Sequence, residues 1–222
     1  IQGDDLWVDD LARRLLALIG QPFQLDDVQV SVRTSVGMAC FPRDGRDPEH
    51  LLKRADLALY AAKAAGRNTS RFFDPVLEEN ANTRVRLQQE MGVALAREQF
   101  TVVFQPQVNL SSGLCTGFEA LVRWQHAERG LIGPGDFIPV AEETGQIVPL
   151  GTWVLRESCK EAMRWPDHLR VAVNLSAVQF RSSAVLDLVD EALYQSGLAP
   201  ERLELEITES ALIEDHDGAQ AT

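Results

Sequence analysis

A membrane-spanning helix needs about twenty consecutive apolar residues, and no apolar run in the sequence approaches that length. The sequence therefore predicts no membrane segment. The first five residues include two Asp and no initiator Met, and the basic and apolar regions of a signal peptide are missing. We therefore expect a cytoplasmic location, and a membrane anchor upstream of residue 1 stays open for the whole protein.

Cysteine is scarce as well. The three cysteines, Cys40, Cys115 and Cys159, are far apart, and no C-x-x-C spacing occurs. This distribution argues against a structural zinc site and against a dithiol redox motif. We expect buried thiols in a reducing compartment.

Basic residues are outnumbered: 21 Lys and Arg face 33 Asp and Glu, for a net charge of -12. A protein that coats a nucleic-acid polymer needs clustered Lys and Arg, so this balance excludes such a partner. It does not exclude a small phosphate ligand, because a divalent cation can bridge an acidic site and a phosphate.

Apolar periodicity and turn residues divide the chain into two regions with a polar helical segment between them. After residue 98, strands alternate with helices, which is typical of parallel βα units. We predict one domain at residues 1–75, a linker helix at residues 76–98 and a second domain at residues 99–222. The predicted helices are 4–19, the segment between the caps Asp47 and Gly66, 75–98, 135–144, 150–164 and 183–196; the predicted strands are 22–25, 28–41, 70–73, 100–109, 114–124, 170–176 and 202–209.

The four strands after residue 98 can be analysed face by face, because side chains alternate along a strand. Each strand has one apolar face, and the other face carries polar groups near the carboxyl end. A solvent-exposed sheet would show the same alternation, but the predicted crossover helices favour a sheet that they cover. The pattern is typical of a (β/α) barrel, whose functional mouth lies at the carboxyl ends of the strands.

Such a barrel would bring Glu119, Asn174 and Glu206 together from three different strands. Two carboxylates and an amide oxygen are suitable ligands for Mg²⁺ or Mn²⁺. Arg123 shares the face of Glu119, where its guanidinium is suited to bind a phosphate. Ordinary packing inside a barrel stays open as the alternative.

Five sequence motifs lie in order across residues 86–213. They are Gln105-Pro106-Gln107, the segment Glu-Ala-Leu-Val-Arg-Trp at 119–124, the segment Phe-Ile-Pro-Val-Ala-Glu-Glu-Thr-Gly at 137–145, Asn174-Leu175-Ser176, and the segment Glu-Leu-Glu-Ile-Thr-Glu-Ser at 204–210. In this order and spacing they resemble the EAL family of cyclic-di-GMP phosphodiesterases, although one Glu-Ala-Leu triplet alone would mean little.

The resemblance implies an eight-stranded TIM-like barrel that hydrolyses cyclic-di-GMP to its linear dinucleotide with Mg²⁺ or Mn²⁺. It leaves an EAL-type homodimer open. In the family, the carboxylate that matches Glu209 holds a neighbouring catalytic loop in place. The implied site residues are Glu119, Asn174 and Glu206 as metal ligands, Gln105 and Arg123 as substrate-binding residues, and Glu119 and Glu209 as catalytic residues.

Three further motifs lie in the first region, at residues 35–39, 51–56 and 58–68. They resemble the carboxyl half of a GGDEF diguanylate cyclase domain, which implies a partial α/β sandwich. Lys63 and Arg67 match residues that hold the nucleotide triphosphate in that family; the alternative is two basic groups that suit a helix end. The GGDEF sequence itself is absent, so we expect no cyclase activity from this chain.

The second region contains about four of the eight strands of the EAL family, without the paired Asp of the next strand or the later Lys and Glu. Asp215 and Asp217 do not replace that pair, because His216 separates them. We therefore expect this chain alone to be inactive and the protein that carries it to be a cyclic-di-GMP phosphodiesterase. The alternative is a degenerate EAL domain that binds cyclic-di-GMP as a sensor.

Two other residues have two interpretations each. His126 is either a catalytic base or a loop histidine near the barrel mouth, and we favour the loop histidine. Glu142 either forms part of the ligand rim, as the resemblance implies, or belongs to a capped helix.

Overall fold

The computed structural model of the chain describes residues 3–180 and 185–207. The chain divides into two compact units, Ile1–Val85 and Arg86–Thr222. The division falls within one helix, Pro75–Ala94. The domain boundaries expected at residues 75 and 98 stay a prediction.

The first unit contains two short pairs of strands and two helices, and a third helix begins in it. The first pair is an antiparallel hairpin, and Asp26 in its turn has a φ of 51°. The second pair is parallel, with a helix as the crossover between its strands. The elements are α1 (Gly3–Ile19), β1 (Phe23–Leu25), β2 (Val28–Val30), β3 (Val36–Met38), α2 (Pro48–Ala64), β4 (Ser70–Phe72) and α3 (Pro75–Ala94).

Helix α2 begins and packs as its sequence indicates. Asp47 is the N-cap and accepts a hydrogen bond from the backbone N–H of His50 at 3.0 Å. Gly37 of β3 lies so close to α2 that a Cβ would be 2.2 Å from the backbone oxygen of Ala55. Only glycine permits this approach, so Gly37 sets the packing of β3 on α2.

The second unit consists of a sheet with helices packed on one face. The strands have the order β5-β6-β8-β9, and β7 pairs with the carboxyl end of β6. The elements are β5 (Phe100–Val108), β6 (Cys115–His126), β7 (Gly130–Ile132), α4 (Pro134–Thr144), α5 (Ile147–Ala162), β8 (Arg170–Leu175), α6 (Ala177–Phe180), α7 (Val185–Ser196), a 3-10 turn (Pro200–Arg202) and β9 (Leu203–Ile207). Helix α6 and strand β7 were not predicted from the sequence.

The core lies between the apolar face of the sheet and the helices. Helix α5 supplies buried side chains at helical spacing, among them Leu150, Val154 and Cys159. They pack against the face that carries Trp124 and Val171, both 0% exposed. The face assignment made from the alternation of the strands is therefore confirmed.

The sheet is open over the described residues, with β5 and β9 at its edges. Strands β6, β8 and β9 are parallel, whereas β5 is antiparallel to β6. This arrangement agrees with the predicted incomplete (β/α) barrel. Among the described helices, none has the length and apolar character that a bilayer crossing requires.

Candidate active site

Strand register places the predicted metal ligands on one face of the sheet. Glu119 of β6 is paired with Ala172 of β8, and Asn174, two residues further along β8, is paired with Glu206 of β9. Residues two apart on a strand share a face, so all three side chains project from the face opposite the helices. Gln105 of β5 is paired with Glu119 and therefore joins them.

Two hydrogen bonds link the polar side chains of this face. Asn174 Nδ2 donates to Glu119 Oε1 at 2.7 Å, and Gln107 Nε2 donates to Glu206 Oε1 at 3.4 Å. The two carboxylates are half-buried, whereas Asn174 is exposed. Gln107 was not predicted as a site residue. The signal for it was its position two residues after Gln105, which places both side chains on the same face of β5.

The oxygen atoms of Glu119, Asn174 and Glu206 are a suitable ligand set for a divalent metal ion. Each carboxylate keeps oxygen lone pairs beyond its hydrogen bond, and an amide that donates through Nδ2 keeps Oδ1 as an acceptor. Hard oxygen ligands of this kind match Mg²⁺ and Mn²⁺. Within residues 3–180 and 185–207, no group of three or more His, Cys, Asp or Glu side chains is placed to hold a metal. A site here therefore depends on the amide of Asn174.

Arg123 lies two pleats beyond Glu119 on the same face of β6. Arg123 is half-buried, and its Nη1 donates to the backbone oxygen of Val122 at 2.9 Å. The other guanidinium N–H groups can donate to an anion, which suits the predicted phosphate contact.

A cavity of about 240 Å³ opens beside this face, where one edge of β6 changes partners. That edge pairs with β8 only up to Ala120 and with β7 only from Trp124. The three residues between these pairings, 121–123, line the cavity together with residues of α4 and α5 and with the carboxyl end of β8. The walls are mainly apolar, and Arg123, Glu142 and Asn174 are among the polar groups that reach it.

Glu142 of α4 contacts Ser176, the residue that follows β8. Ser176 Oγ donates to Glu142 Oε1 at 2.7 Å, and Gln179 Oε1 accepts a hydrogen bond from the backbone N–H of Ser176 at 3.3 Å. Ser176 is 9% exposed and Gln179 is 4% exposed. Glu142 thus lies on the cavity wall and is bonded to the residue that follows β8.

His126 lies on the face opposite Glu119, in contact with Trp124 at 5.6 Å between ring centroids. It is 9% exposed, and its Nδ1 accepts hydrogen bonds from the backbone N–H groups of Glu128 and Arg129 at 3.1 and 3.2 Å. Its Nε2 is 3.2 Å from a carboxylate oxygen of Glu90. Both nitrogens are engaged on the core side, which argues against a catalytic base. The predicted loop position was wrong, because His126 is the last residue of β6.

The remaining predicted site residues lie elsewhere. Lys63 is in the last turn of α2, and Arg67, with a φ of 60°, donates its backbone N–H to the Lys63 oxygen at 3.2 Å. Both side chains are exposed at the end of the helix, where basic groups also suit its dipole. Glu209 falls outside the described residues.

Comparison with protein families assigns both halves of the chain. The EAL domain matches residues 86–222, and the diguanylate cyclase, GGDEF domain matches residues 4–69. A protein of Caulobacter vibrioides, known only as an uncharacterized signaling protein, is 45% identical over 95% of this chain and 26% of its own length. The bifunctional diguanylate cyclase/cyclic di-GMP phosphodiesterase MucR of Pseudomonas aeruginosa is 41% identical over 94% of this chain and 31% of its own length.

A solved structure resembles the second unit. The PaMucR phosphodiesterase in its c-di-GMP complex is 43% identical, with a TM-score of 0.57, over 60% of this chain and 56% of that one. The chain thus spans about a quarter to a third of the curated relatives, from 26% of one to 31% of the other.

Proposed function

Because the chain belongs to the EAL domain family, we propose that the protein that carries it hydrolyses cyclic-di-GMP to the linear dinucleotide at the polar face of the second unit. The observation that carries this proposal is the convergence of Glu119, Asn174 and Glu206 from three neighbouring strands. The names of two relatives, MucR and the cyclic di-GMP phosphodiesterase NbdA of Pseudomonas aeruginosa, support the substrate.

The three side chains are proposed as ligands of Mg²⁺ or Mn²⁺. Such an ion, when bound, lowers the pKa of a water molecule and neutralises charge on phosphoryl oxygens. Asn174 orients the Glu119 carboxylate through the 2.7 Å hydrogen bond, and Gln107 does the same for Glu206 at 3.4 Å. The amide of Asn174 thus holds the proposed ligand Glu119 in a defined orientation.

Arg123 and Gln105 are proposed to bind the substrate. Arg123 reaches the cavity beside Asn174, where its planar guanidinium can donate two parallel hydrogen bonds to one phosphate. Gln105 is exposed on β5 directly across from Glu119, within the same polar face. Glu209 is proposed as a further catalytic carboxylate on the family match alone.

For the first unit, we propose that residues 1–75 are the carboxyl part of a GGDEF domain. Residues 76–98 would then be a linker helix and residues 99–222 the amino-terminal part of an EAL domain. The family matches at residues 4–69 and 86–222 support this division. Lys63 and Arg67 are proposed to contact a nucleotide in the whole protein, and no cyclase chemistry is assigned to this chain.

The test is a hydrolysis assay on the full-length protein with cyclic-di-GMP and Mg²⁺ or Mn²⁺, with the products separated by liquid chromatography. Glu119→Gln, Asn174→Ala and Glu206→Gln should each lower the rate at least about a hundredfold, because loss of an outer-shell partner already costs up to about that much and these residues are proposed as direct ligands. Glu204→Gln is the matched control, because Glu204 lies on the same face of β9 two residues before Glu206. Its rate should equal that of the wild type.

Two results would contradict the proposal. Binding of cyclic-di-GMP without turnover, at any metal concentration, would instead make the domain a sensor. Equal losses of hydrolysis rate in Glu204→Gln and Glu206→Gln would show that the negative charge of β9 matters, and that Glu206 is not a specific metal ligand.

A further inference from the structure

Over the described residues, the carboxyl end of β8 has a strand neighbour on one side, β9. Its pairing with β6 ends at Val173, opposite Ala120, whereas β8 continues to Leu175 beside β9. Asn174 therefore lies in the part of β8 that, among the described strands, has a paired residue in β9 and none in β6. A side chain on such a segment needs another contact to keep one orientation.

Helix α4 provides that contact. Ser176 Oγ donates to Glu142 Oε1 at 2.7 Å and accepts a hydrogen bond from the backbone N–H of Val178 at 3.2 Å. The backbone N–H of Ser176 donates to the buried side chain of Gln179. Gln179 lies against Gly151 of α5, where a Cβ would come within 2.1 Å of its Nε2. The turn after β8 is thus anchored to two helices.

We propose that Glu142 is a positioning residue that holds Ser176, and through it the carboxyl end of β8 and the side chain of Asn174. A carboxylate that accepts from a hydroxyl at 2.7 Å makes a charge-assisted bond, which is stronger than a neutral one. The consequence for metal binding rests on the proposed function, whereas the effect on the β8 backbone does not.

The first measurement is Mn²⁺ affinity, by titration of the full-length protein without substrate. Glu142→Ala and Ser176→Ala should each weaken binding at least about tenfold, as loss of an outer-shell partner does. The double variant should be no weaker than the weaker single variant, because both changes break the same link. Glu142→Gln keeps an acceptor oxygen and should stay within about threefold of the wild type. Glu143→Gln removes the charge of an exposed carboxylate on the same helix, keeps its size and serves as the control.

The second measurement needs no metal. Hydrogen–deuterium exchange of the metal-free protein should accelerate at least about fivefold in the peptide that covers residues 172–178 in Glu142→Ala, since opening of this segment becomes easier. The same peptide should be unchanged in Glu143→Gln, which leaves the bond between Glu142 and Ser176 intact. Peptides of β5 and β6 should be unchanged in all variants.

Two results would overturn the positioning role. If the Glu142→Ala loss of affinity adds in full to that of Ser176→Ala, Glu142 acts on the ligand directly. If exchange of residues 172–178 is unaltered in Glu142→Ala, the carboxyl end of β8 does not depend on it. A wild type without Mn²⁺ affinity would contradict the proposed function, and the exchange measurement would then decide the positioning role.

Discussion

Replacement of Arg202 by Met should destabilise the junction between α5, β8 and β9. The side chain of Arg202 is 10% exposed and lies just before β9. Nη2 donates to the Ala162 oxygen at 2.7 Å, and Nε donates to the Leu169 oxygen at 3.0 Å. Since α5 ends at Ala162, its carbonyl accepts the backbone N–H of Trp165 at 3.1 Å, and the guanidinium is a second, charged donor to the same oxygen.

The expected loss follows from these two bonds. A hydrogen bond from a charged donor contributes about 1.5–3 kcal/mol, so the pair amounts to about 3 kcal/mol at the low end. Two further contacts of Nη2, to the oxygens of Trp165 and Pro166, are 3.4 Å long and are left out of the sum. The ion pair with Asp167 is 3.5 Å long, and that carboxylate is fully exposed, so it contributes little.

Hydrogen exchange of the full-length protein measures this loss locally. A loss of about 3 kcal/mol corresponds to roughly 150-fold faster exchange for the protected amides of β8 and β9. Asp167→Asn, the control, should change exchange by at most about twofold. The reasoning would be refuted if Asp167→Asn accelerated exchange as much as Arg202→Met, because the ion pair would then be the stabilising contact.

Two predictions concern residues on the core side of the sheet. His126→Ala should lower the melting temperature of the full-length protein and leave the pH profile of hydrolysis unchanged, because the ring is engaged with Glu90 and two backbone N–H groups; a shifted profile would restore the catalytic-base interpretation. Burial raises the pKa of the Cys159 thiol from 9.0 to about 11, so a maleimide at pH 8 should modify the half-buried Cys40 and Cys115 and spare Cys159, as checked by peptide mass spectrometry. Labelling of Cys159 in the native protein at pH 8 would argue against its burial. The raised pKa also means that the contribution of this thiol to stability is full below pH 9.0 and is lost as the pH rises towards about 11.

Side-chain alternation was enough to predict which strand residues share a face. The apolar sets that include Trp124 and Val171 are buried against helices, as expected. The opposite set brings Glu119, Asn174 and Glu206 onto one face, as expected. This succeeded because alternation has a period of two residues and survives any small error in the strand ends.

Short elements escaped the sequence analysis. Strand β7 has three residues, Gly130–Ile132, and α6 has four, Ala177–Phe180. Neither is long enough to show a period, and β7 exists only because the edge of β6 offers it hydrogen-bonding partners at residues 124–126. Similarly, the predicted strand at residues 28–41 is two strands, Val28–Val30 and Val36–Met38, with different partners.

Local patterns in the sequence were enough to predict most of the longer elements, the two faces of the strands and the family motifs, because these depend on neighbours within a few positions. Tertiary structure alone decided the register that pairs Asn174 with Glu206, the opening beside residues 121–123 and the contact of Glu142 with Ser176, which are 34 residues apart. Such contacts depend on how strands and helices meet in space, and a single sequence carries no local pattern for groups that far apart.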